Sequence, residues 1–162
     1  MAPASSASPA VDEALAKVGE ADIVVGIPSY NNAATIGHVV QAASAGLAKH
    51  FSDLRGVVVN SDGGSNDGTP HAVLDAEADH EHLLLVRHPL YPVHRITTPY
   101  HGLQGKGSAF RTIFHIAEKL NAKVCAVVDS DLRSITPDWI ELLLRPILQG
   151  EFDYVAPYYR RH

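Results

Sequence analysis

Residues 124–131 read Val124-Cys125-Ala126-Val127-Val128-Asp129-Ser130-Asp131. The first five are apolar in succession, with no polar residue on alternate positions. A strand with one wet face alternates between apolar and polar. A strand covered on both faces does not, and cover on both faces marks a parallel sheet flanked by helices. The run then stops on two carboxylates separated by one serine. Sheets of this kind bind ligands beyond the carboxyl ends of their strands. One stretch therefore indicates a fold class and the place to look for chemistry.

The same texture recurs at residues 23–27, 54–59, 83–86 and 154–156, each of strand length. Helical spacing lies between these runs. Ile36, Val39, Val40, Ala43 and Leu47 form one stripe after the turn-forming Asn31-Asn32. A second helix is expected from Thr69-Pro70, with the threonine as cap and the proline in the first turn. A third carries Ala109, Phe110, Ile113, Phe114, Ala117 and Leu120 on one side. A fourth opens at Thr136-Pro137-Asp138 and carries Trp139, Ile140, Leu143 and Ile147. The segment 88–104, rich in Pro, His and Tyr, is expected to be the longest loop. Alternating strands and helices predict a Rossmann-like, doubly wound, mostly parallel α/β sheet. Residues 1–21 are expected to be a flexible leader with a short helix at 10–19, and residues 22–162 one folded domain.

Composition excludes several classes. Of the 162 residues, 46% are hydrophobic and 19% charged, a globular balance. The net charge of −5 argues against nucleic acid as a partner. Cys125, the one cysteine, rules out a disulfide scaffold and is expected to be buried in its strand. No apolar run approaches the ~20 residues of a membrane span. The first ten residues lack the basic and apolar regions of a signal peptide. Together these predict a cytoplasmic protein.

Three polar clusters follow expected strands: Pro28-Ser29-Tyr30-Asn31-Asn32, residues 60–69, and Asp129-Ser130-Asp131. If the topology holds, all three meet at one edge. Two carboxylates one residue apart, just past a buried strand, can turn to the same side. Mg²⁺ and Mn²⁺ want such oxygen ligands, with phosphate and water completing the shell. A simple loop-capping role is the plainer alternative for Asp129 and Asp131. Around Asp62, the glycines let a ligand approach the backbone; an Asx-bonded turn accounts for the same residues equally well. Gly102-Leu103-Gln104-Gly105-Lys106-Gly107-Ser108 opens a helix. It departs from the spacing of a nucleotide-binding P-loop, because Gly107 stands where Ser or Thr is needed. A lysine at a helix start is unfavourable to the helix dipole, which suits an anion-binding role better than a solvated one. His80-Glu81-His82 lacks a third metal ligand and reads as a solvated turn. Trp139 reads as core. Arg160-Arg161-His162 reads either as phosphate-facing or as a polar strand exit.

These motifs, in this order, resemble GT-A fold glycosyltransferases, especially family 2-like enzymes. Lys106 with its flanking glycines and the ending Val155-Ala156-Pro157-Tyr158-Tyr159-Arg160-Arg161-His162 are closer to glucosyl-3-phosphoglycerate, glucosylglycerate and mannosylglycerate synthases. The resemblance covers residues 22–162. It implies a donor site for a nucleoside-diphosphate sugar, a UDP- or GDP-hexose, built from Pro28, Tyr30, Asn31, Asp62, Gly63, Gly105, Lys106, Asp129 and Ser130. Pro28 and Tyr30 would line the nucleobase pocket, Asp62 would lie near the base or ribose, and Gly105 with Lys106 would meet the diphosphate. It implies a Mg²⁺ or Mn²⁺ cofactor on Asp131, with Asp129 between metal and ribose. The acceptor would be a small hydroxylated molecule such as glycerate or 3-phosphoglycerate, and a homodimer is compatible. No residue is singled out as the catalytic base. Two departures stand out: the second motif carries an extra glycine, and Ser61 replaces the first acid of the common Asp-Asp-Gly-Ser form. Family members are longer, so the acceptor half is expected to be absent here. A non-catalytic nucleotide-sugar-binding module or inactive fragment is the rival. A sugar-nucleotide pyrophosphorylase would need a glycine-rich, arginine-containing loop after the first strand, which Pro28-Ser29-Tyr30-Asn31-Asn32 is not.

Overall fold

The structure, a computed structural model, describes residues 9–76, 94–99 and 106–158. In chain order the elements are α1 (Pro9–Val18), β1 (Ile23–Ser29), α2 (Ala33–His50), β2 (Gly56–Asp62), α3 (Thr69–Asp75), β3 (His94–Pro99), α4 (Lys106–Lys119), β4 (Val124–Val127) and α5 (Pro137–Leu148). Four strands pair in the order β3-β2-β1-β4, and every pairing is parallel.

Both faces of the sheet are covered, which is why its strands are apolar at successive positions. Ile23, Val25 and Ile27 of β1 and Val58 of β2 point into a core made with α2, α3 and α5. Val24 of β1 and Val57 and Val59 of β2 point into a second core with α1 and α4. Each fully buried Val or Ile contributes about 1.5–3 kcal/mol against exposure. The short helix expected at 10–19 is α1, and its Val11 is buried in the second core. Cys125 packs against that core from β4, and burial pushes its thiol up to about 11. A thiol held protonated that far is a poor nucleophile.

Three expectations need correction. Within residues 88–104, expected as loop, the chain forms β3, whose sequence His94-Arg95-Ile96-Thr97-Thr98-Pro99 offers little apolar signal. Among the described residues it pairs only with β2, at the end of the sheet order, where polar residues are tolerated. Residues 154–156 form no strand; Tyr154 is 80% exposed and no described strand lies beside it. Thr69 is the first residue of α3, while Gly68, at φ 89°, holds the cap position. The run at 83–86, His80-Glu81-His82 and Arg160-Arg161-His162 lie outside the described residues.

Helix α2 crosses α5 at Gly46. A Cβ there would come within 2.6 Å of the Pro137 carbonyl oxygen and 2.7 Å of Ile140 Cβ. At Gly37, in the same helix, the nearest atom would lie at 3.7 Å. Alanine is the better helix former by about 1 kcal/mol. Gly37→Ala is therefore expected to raise stability by about 0.5–1 kcal/mol. Gly46→Ala is expected to lower it by about 1–3 kcal/mol, because a backbone oxygen must yield. Urea unfolding of the pair checks the opposite signs.

Candidate functional site

The carboxyl ends of β1, β2 and β4 reach one edge of the sheet. Register sets Ser29 beside Asp62 and Gly26 beside Val127. The loops that follow enclose a cleft of about 340 Å³. Pro28, Ser29, Tyr30 and Asn32 line it from β1 and its exit, Gly63 from the end of β2, and Lys106 and Ala109 from the first turn of α4. Asp129, Ser130 and Asp131 line it from the loop after β4.

The first two loops are tied to each other. Asn31, at φ 54°, donates its backbone N–H to Ser65 Oγ (2.8 Å), and its side-chain oxygen accepts from the Asn66 N–H (3.0 Å). Asp67 Oδ2 accepts from the Ala33 N–H at 3.0 Å, so the start of α2 is capped from the neighbouring loop. The Thr69 hydroxyl donates to Asp67 Oδ1 (2.5 Å) while its oxygen accepts from the Asn32 N–H (2.8 Å). The Thr69 bond, with the Ala33 N–H behind it, holds the Asp67 carboxyl below its ordinary pKa.

Asp62 is spent inside the protein. It is 4% exposed, and its Oδ1 accepts from the hydroxyls of Ser29 (3.0 Å) and Ser65 (2.6 Å). Its Oδ2 accepts from the N–H groups of Gly64 (3.1 Å) and Ser65 (2.9 Å). The Asx-bonded turn is thus what forms here, and neither Asp62 nor Asn31 lines the cleft. Ser130, 7% exposed, donates its hydroxyl to Asn32 Oδ1 at 2.8 Å. Gly105 lies outside the described residues.

Lys106, Asp129 and Asp131 are the charged groups lining the cleft. Lys106 Nζ lies 2.7 Å from Asp129 Oδ1, with 65% and 46% of the two side chains exposed. Asp131 is exposed and makes no hydrogen bond or ion pair among the described residues. An all-oxygen pair on an open cleft, one member unpaired among the described residues, fits a hard divalent cation that keeps most of its shell for water and phosphate. The donor set suits Mg²⁺ or Mn²⁺ better than a softer metal.

A second acid cluster lies at a helix junction. Ligand atoms of His50, Asp138 and Glu141 lie within 4.8 Å of one another, where the end of α2 meets the start of α5. Its carboxylates are already engaged: Asp138 Oδ1 by Lys49 at 2.8 Å, Glu141 Oε1 by Arg145 at 2.6 Å. The two ring nitrogens of His50 face different carboxylates, at 2.8 and 3.2 Å. These are the contacts of an ion-pair clasp between two helices.

Three lining residues, Ser29, Asn32 and Ala109, stand outside the donor and metal sets expected from the sequence. Ala109 follows Lys106 by three positions, so one helical face holds both, a signal that was legible. Asn32 belongs to the first polar cluster and to a turn, but its bond to Ser130 spans 98 positions and leaves no local trace.

Residues 24–162 match the sequence profile described as Glycosyl transferase family 2. The chain belongs to glycosyl transferase family 2. No curated protein matches it by sequence. Among solved structures it is similar to glucosyl-3-phosphoglycerate synthase of Mycobacterium tuberculosis, at 23% identity and TM-score 0.53, over 87% of this chain and 45% of that one. The same enzyme in complex with Mn²⁺, UDP-glucose and glycerol 3-phosphate matches at 22% identity and TM-score 0.53, over 93% and 47%. A mannosyltransferase of Pyrobaculum calidifontis, in complex with GDP-mannose and Mn²⁺, matches at 22% and TM-score 0.51, over 69% and 28%. Likeness at these identities establishes the GT-A type α/β fold. The chain spans under half the length of each of these structures. Among the described residues no helix is long and apolar enough to cross a membrane.

Proposed function

We propose that the chain binds the donor in a metal-dependent glycosyltransferase. The enzyme would move a hexose from a UDP- or GDP-sugar to a small hydroxylated acceptor such as glycerate or 3-phosphoglycerate. The observation that carries this is the meeting of Lys106, Asp129 and Asp131 in a cleft walled by Pro28, Tyr30 and Gly63. Apolar and aromatic surface in the lining suits a nucleobase, and a cation beside two carboxylates suits a metal diphosphate.

Each group has a distinct task. Tyr30, 58% exposed, offers a ring face, and Pro28 a rigid apolar wall. Asp131 and Asp129 would hold the metal, which when bound would neutralise charge on the departing diphosphate. Lys106 would swing from Asp129 to a phosphate oxygen, adding a charge-assisted hydrogen bond. Asp62 would act at one remove, by shaping the turn that presents Gly63. Rate enhancement from these groups is electrostatic. The relatives whose complexes hold UDP-glucose or GDP-mannose with Mn²⁺ support the donor class and the metal. A cytoplasmic setting fits a chain whose one cysteine is partly buried in a strand.

The test is thermal unfolding with UDP, GDP or ADP, each with and without Mn²⁺. One nucleotide with Mn²⁺ should raise the midpoint by several degrees, since ligand at 100 times its Kd adds about 2.7 kcal/mol. Equal, metal-independent shifts for all three would refute the assignment. Transfer of labelled hexose to glycerate or 3-phosphoglycerate, measured beside it, reads the acceptor.

A further inference from the structure

Asp129 and Asp131 stand on a loop, outside any helix or strand, and beyond the Lys106–Asp129 ion pair no side-chain contact among the described residues holds either carboxylate. What fixes them is the residue between. Ser130 is buried and gripped at both ends: its hydroxyl donates to Asn32 Oδ1 at 2.8 Å, and its carbonyl accepts from Thr35 Oγ1 at 2.9 Å. Asn32 Oδ1 also accepts from the Tyr30 N–H at 3.0 Å. One amide oxygen therefore joins the turn that carries Tyr30 to the loop that carries both carboxylates. Asn32 is fixed in turn, because its own N–H is held by Thr69 Oγ1. A shift of the Tyr30 turn moves this acceptor, and Ser130 must follow it or lose a buried hydrogen bond.

We propose that Asn32 is a positioning residue that couples nucleoside binding at Pro28 and Tyr30 to metal binding at Asp129 and Asp131. The proposal rests on the donor-site assignment above. Coupling of this kind is reciprocal: a nucleoside that tightens the metal is tightened by it in the same ratio. A nucleoside without phosphates isolates the effect, because it lacks the groups that would touch the metal directly.

The experiment is Mn²⁺ titration of the 162-residue chain, alone and with saturating uridine or guanosine, followed by calorimetry or by the paramagnetic signal of free Mn²⁺. In the unmodified protein the nucleoside should tighten Mn²⁺ by about fivefold or more, the lower end of typical coupling. Asn32→Ala and Ser130→Ala should each reduce that ratio to about one, and the double variant should add nothing further. Asn32→Asp, which keeps the Oδ1 acceptor, should restore a ratio above one even though its charge shifts the absolute Mn²⁺ affinity. A purely structural role for Asn32 would lower the midpoint of unfolding and leave the ratio intact, which overturns the proposal. So does a ratio of one in the unmodified protein when Mn²⁺ and nucleoside both bind, while the donor site survives that result. Failure of Mn²⁺ or nucleoside to bind at all overturns both.

Discussion

Asp131→Ala is expected to weaken Mn²⁺ binding by at least about 100-fold while leaving the midpoint of unfolding nearly unchanged. Loss of a supporting group around a metal site already costs about 10–100-fold, so loss of a direct carboxylate ligand stands at or beyond that range. Stability is spared for a separate reason. Asp131 is exposed and makes no hydrogen bond or ion pair among the described residues, so its removal orphans no partner among them. Surface changes of that kind fall within about 0.5 kcal/mol. Its neighbour differs, because Asp129→Ala would also strand the Lys106 ammonium. The measurement is direct Mn²⁺ titration beside thermal unfolding. Unchanged Mn²⁺ affinity in Asp131→Ala would move the metal elsewhere, and the His50, Asp138 and Glu141 cluster would be the next group to titrate.

Where the sequence spoke clearly, burial on both faces was the reason. Successive apolar residues in β1, β2 and β4 have no other economical reading, and each ended on polar residues that proved to share one edge. β3 stayed hidden because its place at the end of the sheet relaxes the demand for apolar side chains. The short run at 154–156 carries strand-forming residues with no strand beside it among the described residues, and partners are what make a strand. At the site, Asp129, Asp131 and Lys106 were legible as charges placed where a helix or a core does not want them. Asp62 was equally visible, and the Asx-bonded turn was one of its two readings. Three of its four donors, on Gly64 and Ser65, are local, while the fourth, Ser29, lies 33 positions away and leaves no local mark. Asn32 shows the same limit, since nothing local marks one turn asparagine as the partner of a serine 98 positions away.

Lys106→Met is expected to change two affinities in opposite directions. The ammonium lies 2.7 Å from Asp129 Oδ1, on the carboxylate a divalent ion would use. Two cations on one carboxylate repel, so the lysine and the metal compete until an anion draws the lysine away. Both side chains are largely in water, and an exposed pair of this kind is worth only about 0–1 kcal/mol. Removing the ammonium should therefore tighten Mn²⁺ in the absence of nucleotide by at most about fivefold, with little effect on stability. Nucleoside diphosphate should bind more weakly. A hydrogen bond to a charged group is worth about 1.5–3 kcal/mol, so the loss should be about 10–100-fold in the presence of saturating Mn²⁺. Methionine preserves the length and packing of the stem, which keeps the comparison to charge alone. Titrations of Mn²⁺ alone, and of UDP or GDP with Mn²⁺ present, read the two effects separately. A general loosening of the fold would weaken both ligands together. A lysine merely solvated at a helix start would leave both unchanged, and only a lysine shared between Asp129 and the diphosphate moves them apart.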